Sequence, residues 1–102
     1  MIENLSEESA ATIAAAEKTG VKYIDLNRAS TDYVNAIGQE NAAKYDYASG
    51  DATHLNPGGE IVFARMVIDL LIEAREDFGG YFDANAALSE KIADGEYATG
   101  EE

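Results

Sequence analysis

The one histidine of the chain, His54, follows Asp51 by three residues in Gly50-Asp51-Ala52-Thr53-His54-Leu55-Asn56-Pro57-Gly58-Gly59. Imidazole is the side chain best suited to moving protons near neutrality. A carboxylate at this spacing can accept from one ring nitrogen, fix the tautomer and leave the other nitrogen as a base. The same spacing also suits a plain turn, with Asp51 closing the bend and His54 on the surface. A nucleophile is harder to find. The chain has no cysteine, which removes thiolate chemistry, disulfides and cysteine zinc clusters. Ser6, Ser9, Ser30, Ser49 and Ser89 supply hydroxyls, but none lies in a G-x-S-x-G elbow, and Ser6 and Ser30 read as helix caps. Asp25 suits either a second carboxylate beside Asp51 or the end of a strand. Asp51 and His54 lack further partners for a metal, so no metal or cofactor is expected. Gly58-Gly59 has neither the spacing nor the lysine of a phosphate loop. Tyr45 and Tyr47, flanking Asp46, suit a sugar-binding face or ordinary packing.

The charge balance narrows the partners. Seven Lys and Arg stand against 20 Asp and Glu, a formal charge of −13. Nucleic acid and anionic membrane surfaces are therefore not expected partners, since both call for a basic face. An apolar fraction of 46% over 102 residues suits one folded unit rather than a disordered chain. No apolar run reaches the ~18 residues needed to span a bilayer. The opening Met1-Ile2-Glu3-Asn4-Leu5-Ser6-Glu7-Glu8 lacks the basic and apolar regions of a signal peptide. Asn4-Leu5-Ser6 is a formal glycosylation sequon.

The elements that must position His54 are mostly helical. A first helix is expected from about Ser6 to Lys18, with Glu7 and Glu8 at its positive end and Gly20 as its stop. Val21-Lys22-Tyr23-Ile24-Asp25-Leu26 is the best strand candidate. A second helix is expected from near Ser30, with Tyr33, Val34 and Ile37 on one side, breaking at Gly38. A short helical stretch from Gln39 to about Tyr45 and a turn at Ser49-Gly50-Asp51 follow. Asn56 and Pro57 open a third main helix running to about Glu76 and stopped by Gly79-Gly80. Between Ile61 and Ile72 its strongly polar residues are Arg65 and Asp69, on a stripe that Glu73 continues. Such a helix is normally buried on more than one side. Residues 83–102 read as a separate acidic segment, a weak helix from Asp83 to Ala93 and a frayed tail from Asp94. One strand cannot satisfy its own backbone, so this order of elements suggests part of a parallel α/β sheet with its other strands elsewhere.

Tyr23-Ile24-Asp25-Leu26-Asn27 followed by Asp51-Ala52-Thr53-His54-Leu55-Asn56-Pro57-Gly58-Gly59 resembles the C-terminal part of SGNH (GDSL-type) hydrolases, especially the rhamnogalacturonan acetylesterase group. The likeness runs from about Glu8 to Tyr81, and residues 1–82 would be the C-terminal portion of such a domain. It implies a three-layer α/β/α fold, mostly helical here with one parallel-type strand at Val21–Leu26. His54 would be the general base and Asp51 the acid orienting it, while Asn56, Gly58 and Gly59 would cap the third helix and let it pack closely. The implied reaction is ester hydrolysis through an acyl-enzyme, on an acetylated plant polysaccharide, in a secreted protein. The family's G-D-S nucleophile block and G-x-N-D oxyanion donor have no counterpart here, since Gly50-Asp51 is followed by Ala52. The chain alone is therefore expected to be inactive, with its partner either a nucleophile-bearing N-terminal half or a second copy. The other reading is a noncatalytic module, derived from an esterase, that self-associates through the apolar third helix.

Overall fold

The computed structural model describes residues 4–102; residues 1–3, part of the stretch read above for a leader, lie outside the described residues. The described residues form five α-helices: α1 (Ser6–Thr19), α2 (Leu26–Ile37), α3 (Gln39–Ala42), α4 (Pro57–Ala74) and α5 (Ala86–Ala93). Short 3-10 turns cover Ala43–Tyr45 and Glu76–Tyr81. Among the described residues there is no strand or sheet, and the one β pairing is an isolated antiparallel bridge between Asp46 and Leu55. This overturns the three-layer α/β/α expectation and, with it, the strand at Val21–Leu26.

The reason lies in local chemistry. A strand is stable only when a neighbour satisfies its backbone groups, and no described segment pairs with residues 21–25, which connect α1 to α2 without regular structure. The side chain of Asp25 instead accepts the Arg28 backbone N–H at 3.0 Å. That cap starts α2 at Leu26, four residues earlier than Ser30. Ser30 sits inside the helix, its hydroxyl donating to the Asn27 carbonyl.

Other boundaries follow the residues that stop or start helices. Gly20, at φ +74°, ends α1 and donates its N–H back into the last turn. Gly38, at φ +84°, separates α2 from α3. The residue before α1 is Leu5, so Ser6 is its first helical residue rather than its cap. Asn56 caps α4 through the Gly59 N–H at 2.9 Å, with Pro57 following as expected. The helix ends at Ala74, with Arg75 in an extended conformation, and Gly79-Gly80 fall inside the following 3-10 turn.

The core is built where α2, α4, α5 and the C-terminal residues meet. Tyr33 and Ile37 from α2, Tyr45 from the 3-10 turn at Ala43–Tyr45, Val62 and Met66 from α4, Leu88 from α5, and Ala98 are all buried. Phe63 stands edge-on to both Tyr33 and Tyr45, with centroids 6.2 and 5.5 Å away. Arg65 is buried too: its guanidinium pairs with Asp69 at 3.1 Å and donates to the Asp83 carbonyl at 2.8 Å. Asp69 also accepts from the Ser89 hydroxyl of α5 at 3.0 Å, whereas Glu73, further along the stripe, is exposed.

The tail from Asp94 is a second correction, because it is stitched to the core rather than frayed. The Tyr45 hydroxyl donates to the Ala98 carbonyl, and the Tyr33 hydroxyl donates to the Glu96 carbonyl and accepts the Ala98 N–H. Burial, reinforced by the adjacent Tyr33 hydroxyl, pushes the Tyr45 phenol upward, which keeps it a donor. Residues 83–102 therefore share one core with the helices before them, through Leu88 and Ala98.

Candidate functional site

Asp51 and His54 lie on the hairpin-like loop between the 3-10 turn at Ala43–Tyr45 and α4. Tyr45 and Asn56 fix its base, with the Asn56 N–H donating to the Tyr45 carbonyl at 2.9 Å and the Asn56 side chain donating to the Lys44 carbonyl at 2.7 Å. One step further out, the Tyr47 N–H donates to the His54 carbonyl at 2.9 Å. The Asp46–Leu55 bridge lies between these two hydrogen bonds. The tip turns tightly, with the Asp51 N–H donating to the Ala48 carbonyl and Gly50 at φ +84°.

Within this frame the Asp51 carboxylate does two jobs. Its Oδ1 accepts the backbone N–H groups of Thr53 and His54, each at 3.0 Å, which locks the turn. The same carboxylate lies 3.1 Å (Oδ2) and 3.3 Å (Oδ1) from His54 Nδ1. The His54 and Thr53 backbone donors, in that order, hold the Asp51 carboxyl below its usual range, and the imidazole adds to the effect. Asp51 is the more sheltered partner, while the His54 side chain is 73% exposed.

The structure thus brings together the two residues singled out by spacing. Ser49 and Tyr47 lie on the same loop, and most of the other candidates lie elsewhere. Asp25 caps α2 and is no partner of Asp51. Ser30 and Ser89 hydroxyls bond within and between helices, and Ser6 and Ser9 line a cleft between α1 and the start of α2. No hydroxyl is hydrogen-bonded to His54 among the described residues. No three His, Asp or Glu side chains among the described residues gather closely enough to hold a metal ion. No helix among them is long and apolar enough to cross a membrane.

The two tyrosines part company. Tyr45 belongs to the core, whereas Tyr47 is 68% exposed and stands across the hairpin from His54. The Thr53 N–H is the member of this site that spacing alone did not single out. The Asp–x–Thr turn pattern was the available signal for Thr53, since Asp side chains commonly accept the N–H two residues on.

The glycines after Asn56 tie the site to the tail. A Cβ on Gly58 would lie 2.6 Å from the Thr99 carbonyl oxygen, and one on Gly59 would lie 3.0 Å from Tyr45 Cβ. Close packing at this end of α4 therefore holds the base of the hairpin against the core. Comparison with protein-family models, with curated proteins and with solved structures finds no match to the chain.

Proposed function

We propose that Asp51 and His54 are the acid and base of an ester-hydrolysing site whose nucleophilic hydroxyl comes from polypeptide outside the described residues. The observation that carries this reading is the 3.1 Å contact between Asp51 Oδ2 and His54 Nδ1, made by a carboxylate already fixed by two backbone donors. The resemblance of this stretch to SGNH hydrolases supports the same assignment. It concerns the chemistry of the site and carries no three-layer fold with it.

In this reading Nδ1–H donates to Asp51, which leaves the Nε2 lone pair available on the exposed side of the ring. Nε2 removes the proton of an incoming serine hydroxyl as its oxygen attacks the ester carbonyl. The ester C–O bond then breaks, and the Nε2 proton passes to the departing alkoxide. Water attacks the acyl-enzyme with the same base, releasing the acid and restoring the serine. Asp51 stabilises the imidazolium at both stages without taking a proton itself. An acetylated polysaccharide is the substrate class the resemblance suggests.

The test is reconstitution. The chain is co-expressed with the G-D-S-bearing N-terminal portion of an SGNH esterase, and hydrolysis of p-nitrophenyl acetate is followed. Activity that appears on co-expression and is lost in His54→Ala supports the assignment. Activity that survives His54→Ala sinks it.

A noncatalytic, self-associating module is the second reading. It is favoured by the exposure of Val21 (62%) and Tyr23 (42%) rather than by α4, most of whose apolar residues are at least half covered. Sedimentation separates the two, since a tight homo-oligomer that ignores the N-terminal portion supports the module.

A further inference from the structure

The residues just past α5 pack closely against α2. A Cβ on Gly95 would come within 2.8 Å of Ala36 Cβ in α2. Beside this contact lies a cleft of about 480 Å³, within the size range of small-molecule sites. Its floor is apolar, formed by Tyr33, Met66, Leu70 and Ile92. Four carboxylates line it as well: Asp32 on α2, Asp69 and Glu73 on α4, and Asp94 after α5.

These carboxylates differ in what they already hold. Asp69 is engaged by Arg65 and Ser89, and Asp32 faces Arg28 at 3.8 Å on an exposed edge. Glu73 and Asp94 take part in no ion pair among the described residues. The carboxylates are also too dispersed to form a metal cage among those residues. An apolar trough with separated negative charges at its margin complements a different ligand. It matches a cation whose charge sits at the end of an aliphatic body.

We propose that this cleft binds a small organic cation of that kind, an alkylammonium whose chain lies on Met66, Leu70 and Ile92 and whose head group lies between Glu73 and Asp94. Apolar contact supplies the attraction for the chain, and the two free carboxylates select the charge. The site is independent of Asp51 and His54, neither of which lines the cleft.

Hexyltrimethylammonium tests it, titrated into the isotopically labelled chain and followed by amide shifts. Saturable shifts confined to residues such as Ala29, Leu70 and Gly95 are the expected result. Glu73→Gln/Asp94→Asn should weaken binding about fivefold to tenfold, the scale of two partly exposed ion pairs. The charge-matched control Glu7→Gln/Glu8→Gln, in the first turn of α1, should leave the affinity unchanged. Tetramethylammonium, which has the charge without the chain, should bind at least tenfold more weakly. Equal weakening by both double variants, equal binding of the two cations, or shifts spread over the whole acidic surface would each overturn the proposal.

Discussion

The loop from Asp46 to Leu55 and the tail from Asp94 to Glu102 are both short, polar and without helix, and both rest on Tyr45 and the start of α4. They use their polar groups in opposite ways. The tail turns its backbone inward to two buried tyrosine hydroxyls, and Ala98 is fully buried. Its last side chain closes on the tail itself, with Glu102 accepting the N–H groups of Thr99 and Gly100 and the Lys91 ammonium at 3.1 Å. The loop satisfies its own turn through Asp51 and leaves the imidazole to solvent. An irregular segment whose polar groups are tied to the core serves stability. One that satisfies itself locally is free to present a side chain for chemistry.

Substitutions should separate these two roles by size. The largest effect is expected at Gly100, which has φ +95° and lies so that a Cβ would be 2.8 Å from the Gly58 carbonyl oxygen. Gly100→Ala therefore combines left-handed strain with overpacking and should cost about 3 kcal/mol in urea unfolding. Tyr45→Phe comes next. It strands the buried Ala98 carbonyl and should cost about 1–3 kcal/mol, with tail amides exchanging faster than those of α4.

Acid should loosen the tail through the carboxyl of Glu102. Burial acts to raise the Glu102 carboxyl, but the backbone donors and Lys91 outweigh it and bring the pKa down from 4.5 to about 2. A carboxyl depressed on folding contributes stability that is present above its unfolded pKa and is lost as pH falls through the folded one. Stability should thus decline between about pH 4.5 and 2, and Glu102→Gln should flatten that limb of the pH–stability curve. The smallest effect on stability is expected at His54. His54→Ala should change unfolding by less than about 0.5 kcal/mol, because the exposed ring supports no core contact. A loss comparable to that of Tyr45→Phe would erase the distinction between the two segments.

The parts legible in the sequence were those decided within a few residues. Gly20 and Gly38 stop helices because they reach positive φ without a steric penalty. Asn56-Pro57 starts α4 because a side-chain acceptor meets an N–H three residues on. The Asp51–His54 contact belongs to the same class, since a tight turn brings residues three apart together. Asp25 is the local case that was misread. Its capping bond to Arg28 is as short-range as that of Asn56, but the β-forming run before it pointed the other way.

Burial was not legible to the same degree. The spacing of Arg65 and Asp69 places them on one stripe of α4 but not against their partners, Asp83 and Ser89, which lie 18 and 20 residues away from them in the chain. The tail's composition suggests fraying, and only the placement of Tyr33 and Tyr45 gives its backbone partners 53 to 65 residues distant. For Val21–Leu26 the apolar, β-branched composition is compatible with a strand, but a strand requires a second one beside it. By itself, then, the sequence determined helix ends, turn chemistry and the acid–imidazole pair, because each depends on hydrogen bonds among near neighbours. The tertiary structure decided which polar groups are buried and whether an extended-looking segment pairs, because those outcomes depend on partners that only folding brings within reach.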